Sequence, residues 1–164
     1  MFYTQLTETP VGPILVAGDA VGLQHVAFGA GPAGTALLCP QPEWGLNERP
    51  LREAVRQLQA YFRGQLRAFD LPLAAQGTAF QQRVWQALLT IPYGMTRSYG
   101  QQAAAIGSPQ ASRAVGLANG RNPISIIIPC HRVIGANGSL TGYGGGMERK
   151  QLLLELEQGG RLIR

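Results

Sequence analysis

Along the first quarter of the chain, apolar positions come in short runs. "FYTQLTETP", "GPILVAG" and "GLQHVAFG" carry β-branched and aromatic residues and are separated by Gly, Pro and Asp, the pattern of short strands joined by turns. They predict antiparallel strands, with His25 a structural residue of the third. Residues 29–49 read as loop. The spacing then changes: Leu51, Ala54, Val55, Leu58, Tyr61 and Phe62 recur at i, i+3, i+4 and i+7, with Pro50 near the start and Gly64 past the end, which predicts an amphipathic helix. "AFDLPLAAQG" alternates and turns small and polar, placing a boundary at residues 74–77. Two domains are expected, residues 1–76 and 77–164.

The second half reads as mostly helical. Thr78 and Gln81 have capping-box spacing ahead of Phe80, Val84, Ala87, Leu88 and Ile91, and "IPYG" stops that helix. Ser98 caps "YGQQAAAIG", and Ser108-Pro109 opens "QASRAVGLAN" after a turn at Gly107. Two short helices about a glycine turn form a helix-turn-helix candidate, although many α-hairpins share the pattern. The second helix has a face of small residues, Ala111, Ala114, Gly116 and Ala118, with Arg113 and Arg121 expected to point outward. "ISIII" reads as a buried strand ended by Pro129. After a Gly-rich stretch, "MERKQLLLELEQ" predicts a last helix that buries Leu152, Leu153 and Leu156. Strands followed by helices give an α+β class.

Charge divides the halves. Residues 1–79 hold five Arg against six acidic residues, and residues 80–164 hold eight Arg and one Lys against three Glu, so the formal net charge of +5 belongs to the second half. A basic half favours a polyanionic partner, and Arg suits phosphate and planar bases. A coding preference for Arg explains the count equally well but not the asymmetry. Hydrophobic residues make up 45% of the 164, enough for a core without disulfides. No apolar run approaches a membrane span, and the N-terminus lacks a signal-peptide layout, so a cytoplasmic protein without membrane contact is expected. Cys39, Cys130, His25 and His131 are the only Cys and His. None of the paired spacings of a zinc site occurs, so no metal is expected. Cys39 reads as an inert thiol.

The chemistry gathers at "NPISIIIPCHRVIG". Cys130 follows an apolar run and a proline, and His131 follows Cys130. On an extended chain neighbouring side chains diverge, so His131 reaches the sulfur through a bridging water or a sharp turn. A thiolate is the nucleophile, and a histidine held by a carboxylate can take the thiol proton. His131 and Glu157 are the residues available. Glu157 lies in the last turn of the final helix, where the dipole disfavours an acid; a solvated end residue and a residue with another partner both fit. On these features alone Cys130 is a nucleophile, a core thiol or a redox sensor.

"NGRNPISIIIPCHRVIGANGSLTGYGGG", followed by a Leu-rich helix, resembles the active-site segment of the 6-O-alkylguanine-DNA alkyltransferases, the methylated-DNA:protein-cysteine methyltransferases. "GTAFQQRVWQALLTIPYG" and "SYGQQAAAIGSPQASRAVGLANG" resemble the same family's preceding helices, in order, so the likeness covers roughly residues 78–158. The earlier strands and helix agree loosely with that family's ribonuclease-H-like domain, and the helical half with a winged-helix-like DNA-binding domain. The alkyltransferase-like branch replaces the cysteine, usually by Trp; this chain keeps Cys130. It lacks the cysteine-rich metal domain of the adaptive-response regulators.

The resemblance implies that Cys130 takes an alkyl group from the 6-O atom of guanine in double-stranded DNA, after the nucleotide is flipped, and keeps it as a thioether. One monomer repairs one lesion, without a cofactor. His131 acts on the thiol through a water, Glu157 orients His131, Asn122 orders the loop, and Tyr99 supplies a hydroxyl to the base. Arg113 fills the space left in the duplex, with Ala111, Ala114, Ala118 and Arg121 at the DNA. Tyr99, Ser125, Val133, Tyr143 and Gly144 form the base pocket, where backbone groups of Cys130, Val133 and Gly144 read the base edge. Gly144 and Ser125 bear on the size of alkyl group tolerated. Two rivals remain at this point: a DNA-binding regulator whose Cys130 senses alkylating or oxidising agents, and a hydrolase using Cys130, His131 and Asn122.

Overall fold

The three N-terminal runs form β1 (Phe2–Leu6), β2 (Ile14–Gly18) and β3 (Leu23–Phe28), each antiparallel to the next. The computed structural model describes residues 1–29, 40–140, 143 and 146–159. A fourth strand, β4 (Gly45–Leu46), lies within the segment expected to be loop and pairs in parallel with β1, giving the order β3-β2-β1-β4. Two residues are too few to show a period, so only pairing reveals this strand. Trp44, just before it, stacks on His25 with ring centroids 5.4 Å apart. Cys39 lies outside the described residues.

Helix α1 (Arg52–Phe62) follows a single tight turn containing Pro50, and the chain leaves it through Gly64 at a φ of 73°, a conformation that Gly adopts without steric cost. Its buried face carries Ala54, Val55, Leu58 and Tyr61. The following segment returns along the outer edge of β3, where Leu23 donates to Pro72 O and Ala74 donates to Leu23 O. Farther along that edge, Val26 donates to Pro123 O and accepts from Ser125 N. An exposed strand edge invites pairing with other chains. Here it is covered partly by the segment that carries the cysteine.

The helical half contains α2 (Ala79–Leu88), β5 (Arg97–Ser98), α3 (Tyr99–Ala105), α4 (Ser112–Gly120), β6 (Val133–Ile134) and α5 (Met147–Glu157). Thr78 and Ser98 form reciprocal capping boxes with Gln81 and Gln101. β5 and β6 pair in parallel, which draws the segment after the cysteine against the start of α3. Buried residues of both halves form one apolar cluster, from Ile14, Val26 and Leu58 to Val84, Val115, Ile124 and Leu153.

Three sequence expectations are corrected. First, α4 begins at Ser112. Ala111 donates to Ser108 O, closing a turn in which Pro109 takes the position that favours its fixed φ. Second, "ISIII" is coiled: Ile124 makes a lone bridge to Val26, Ile127 donates to Ser125 O and Ile128 donates to Ile124 O. Ile126 has a φ of 73°, an unfavourable conformation for a β-branched residue, kept where surrounding packing over-determines the backbone. The four isoleucines are all buried. Burial alone makes the run apolar, and an apolar run does not specify extension. Third, Leu152 is 41% exposed; the inward face of α5 carries Lys150, Leu153, Leu154 and Glu157.

Candidate active site

Pro129 ends the coiled segment, and Cys130–Arg132 form one turn of 3-10 helix. That turn, and not an extended chain, orients Cys130 and His131. Asn122 ties the loop from within: its Nδ2 donates to Ile128 O at 2.8 Å and its Oδ1 accepts from Ile124 N at 3.0 Å. From α4, Asn119 Nδ2 donates to the Cys130 carbonyl at 3.1 Å. The cysteine is 4% exposed. Burial pushes its thiol pKa up, while the Asn122 amide, the Lys150 ammonium and the Tyr143 hydroxyl oppose the shift by favouring thiolate.

His131 Nε2 lies 2.7 Å from Glu157 Oε2, and both side chains are sealed from solvent. Arg132 Nε donates to Glu157 Oε1 at 2.7 Å, and its Nη2 donates to Oε2 at 3.0 Å. Its Nη1 donates to Ile91 O. Tyr61 Oη, from α1, donates to Glu157 Oε2 at 2.6 Å. Burial alone would raise the Glu157 pKa, but the bonds and charges from His131 and Arg132 bring it down to about 2. Glu157 is therefore an anion at neutral pH, with a carboxylate that only accepts. Nε2 of His131 must carry the hydrogen it faces. Burial lowers the imidazole pKa against the pull of Glu157, so the ring is neutral, and its other nitrogen, Nδ1, has no hydrogen-bond partner among the described residues. This is the arrangement of a base: one nitrogen fixed by a carboxylate, the other open to accept a proton. The acid that looked misplaced at the end of α5 thus has three partners on two other elements, His131 and Arg132 on the cysteine turn and Tyr61 on α1.

Lys150 was not singled out from sequence. It is fully buried, donates from Nζ to Val133 O at 2.6 Å, and has its pKa brought down to about 8 by burial, with Cys130 pulling the other way. Its Nζ also lies 6.0 Å from the centre of the Tyr99 ring. Tyr143 Oη meets no hydrogen-bond partner of regular geometry among the described residues, yet lies close enough to Cys130 for the two to shift each other's titration. The Tyr143 ring packs edge-on against Phe28 of β3. Ser125 is half-buried and held to β3 by its backbone. The Cys130 carbonyl already accepts two bonds, from Asn119 Nδ2 and from the Val133 N–H that closes the turn, and the Val133 carbonyl accepts from Lys150. Gly144 lies outside the described residues. Cys130, His131, Glu157, Asn122 and Tyr143 are thus brought together, while Tyr99 joins them through Lys150.

On α4 the small residues divide. Arg113, Ala114 and Arg121 are exposed and Ala111 is half-buried. Ala118 is corrected: it is 3% exposed, and its carbonyl accepts from Trp85 Nε1 at 2.9 Å. It faces α2 because it lies one turn from Val115 on the helix's inner side. Gly116 faces the Tyr99 ring, close enough that a Cβ there would touch it. The outer face instead presents Leu117, 69% exposed, an apolar side chain between two arginines that sequence reading left out.

The model of the ribonuclease-like domain of 6-O-methylguanine DNA methyltransferases matches residues 1–75, and that of the DNA-binding domain matches residues 79–159. A methylated-DNA–protein-cysteine methyltransferase of Methanosarcina acetivorans is 57% identical over 94% of this chain and 97% of its own length. A protein of the same name from Mycobacterium tuberculosis is 52% identical over 96% and 93%. The crystal structure of Mycobacterium tuberculosis OGT in complex with DNA superposes with a TM-score of 0.87 at 50% identity, covering 99% of this chain and 96% of that one.

Proposed function

This chain belongs to the 6-O-methylguanine DNA methyltransferase family, and from that premise we propose that Cys130 is the residue that takes the alkyl group and His131 the base that frees its thiol. The protein is a DNA-repair methyltransferase, transferring alkyl groups from DNA to its own cysteine. The observation that carries the residue assignment is the buried relay: His131 is bound to Glu157 through Nε2, and Nδ1 has no hydrogen-bond partner among the described residues.

In the proposed reaction the Cys130 proton passes through a water to His131 Nδ1. The thiolate displaces the 6-O oxygen of guanine at the alkyl carbon: the carbon–sulfur bond forms as the carbon–oxygen bond breaks, and the electron pair leaves with the base. The Tyr99 hydroxyl stabilises the charge growing on the departing guanine, which regains a proton to become ordinary guanine. Asn122, Lys150 and Tyr143 favour the thiolate. Glu157 stabilises the imidazolium while it exists. The thioether product has no route back to thiol, so one molecule acts once.

A base inside the duplex cannot reach a buried sulfur, so the nucleotide must leave the stack at a cost of a few kcal/mol. We place the outer face of α4 on DNA, with Arg113 occupying the gap and Arg121 and Ala114 beside it, in a helix-turn-helix of α3 and α4. The exposure of these residues and the charge of the helical half support that placement. Ser125, Val133, Tyr143 and Gly144 are assigned to the base pocket, in a monomer divided at residues 76 and 77.

The test is incubation with a duplex carrying 6-O-methylguanine labelled in the methyl group, followed by peptide mass spectrometry. One methyl per protein on the Cys130 peptide is expected. Label on another residue, or continued release of product, would overturn the assignment. A sensing cysteine in a regulator predicts site-specific binding of undamaged DNA, and a hydrolase predicts turnover; neither follows from the relay.

A further inference from the structure

Four hydrogen bonds converge on Glu157, and one of them comes from the N-terminal half: Tyr61 Oη on α1 reaches Oε2 at 2.6 Å, the same oxygen that faces His131 Nε2 at 2.7 Å. We infer that Tyr61 is a positioning residue of the alkyl-transfer reaction, through which α1 fixes the Glu157 oxygen that holds His131 and moderates the charge it presents to the imidazole. The inference rests on Cys130 and His131 acting as proposed above.

Tyr61 is built to hold one position. It is fully buried, with its ring against Phe62, Phe69 and Tyr93 at centroid distances of 5.4, 5.4 and 6.3 Å. Burial and the neighbouring carboxylate push its pKa well up, so the hydroxyl stays a donor at any working pH. A tyrosine needing only a partner for a buried hydroxyl could use a backbone carbonyl, as Tyr93 does with Leu156 O at 3.4 Å. Tyr61 instead bonds the one oxygen on which the orientation of His131 depends.

The electrostatic consequence has a definite sign. Donors to Oε2 withdraw charge from it, so each makes the carboxylate a weaker stabiliser of imidazolium. The other groups facing this cluster are Arg132 on the 3-10 turn, Lys150 on α5, Tyr93 after α2, and the Cys130 thiol with Tyr143 beyond it. Removing the Tyr61 hydroxyl leaves all of these in place. His131 then holds a proton to higher pH, and the acid limb of transfer moves upward. The loosened carboxylate also slows the plateau rate.

The experiment measures the pH–rate profile of single-turnover methyl transfer from a 6-O-methylguanine duplex for the wild type, Tyr61→Phe and Tyr93→Phe. Tyr61→Phe is expected to move the acid limb to higher pH and to slow the plateau roughly tenfold, the scale of one lost bond to a charged group, with DNA affinity unchanged. Tyr93→Phe should leave the limb in place. Should Tyr61→Phe fail to fold, site-specific 3-fluorotyrosine at position 61 keeps ring and hydroxyl but donates more strongly, and it must shift the limb to lower pH. An unmoved limb in the folded variant or in the fluorinated protein overturns the inference. A wild type that is not methylated on Cys130 overturns instead the assignment on which it rests.

Discussion

His131 Nε2 and Glu157 Oε2 lie 2.7 Å apart across 26 residues of sequence, inside a region closed to solvent. Only a carboxylate can both orient the ring and compensate the charge it acquires. Glu157→Gln is therefore expected to raise the thiol pKa and slow transfer by roughly a hundredfold, the low end of what a positioned general base contributes, without weakening DNA binding. Arg132 loses its charge partner in the same variant, and breaking a buried pair costs about 3–5 kcal/mol, so thermal unfolding is measured alongside. A folded variant with the wild-type rate and pH profile would remove Glu157 from the mechanism.

The same pair sets how the fold responds to acid. Glu157 has a folded pKa of about 2 against an ordinary 4.5, and that of His131 is also lowered. Each binds protons more readily when unfolded, so each contributes stability that is present above its unfolded pKa and lost as pH falls through its folded one. Stability should decline first below pH 6.5, as His131 would charge on unfolding, and again from 4.5 towards 2, where Glu157 alone accounts for about 3 kcal/mol. Urea unfolding at a series of pH values checks this, and Glu157→Gln should flatten the lower step.

Lys150 places an ammonium in the core, and its pKa of about 8 means that burial works against its charge at neutral pH. Lys150→Met removes that penalty and loses the bond to Val133 O, effects of opposite sign. Its melting temperature should stay within several degrees of the wild type, while transfer slows because the cation facing the Cys130 thiolate is gone. In the unaltered protein, the rate should fall off as pH rises past 8 and Lys150 loses its proton. A Lys150→Met protein with undiminished transfer would assign Lys150 to packing alone.

Arg113 is exposed on the outer face of α4, free of the buried relay. Arg113→Ala should slow repair of duplex DNA far more than transfer from the free alkylated base, since only the duplex requires a gap to be filled. Equal losses on both substrates would mean that Arg113 serves the chemistry. Binding should also weaken steeply with salt as counterions are released, and Arg113→Ala and Arg121→Ala should each reduce that slope if these residues meet phosphate.

The sequence by itself carried the local structure and the chemical type. Capping boxes at Thr78 and Ser98, the face of α1 and the three antiparallel strands depend on neighbours a few residues away, and the family likeness is written in "NPISIIIPCHRVIG". Where a choice depended on distant contacts, the pattern gave too little. "ISIII" is apolar because it is buried, whether extended or coiled, and only its docking on Val26 and the Asn122 bonds made it coil. The register of α5 could not be read from "QLLLELE", since leucines occur on more than one side; packing turned Leu152 outward and aligned Lys150 with Glu157. Ala118 and Ala114 look alike in sequence, and the position of α2 decided which one is covered. Tyr61 had the spacing of a core residue and is one, but what its hydroxyl does depends on a carboxylate 96 residues away. Periodicity records whether a side chain is buried; the partner it meets there is fixed only when α1, the cysteine turn and α5 close on one another.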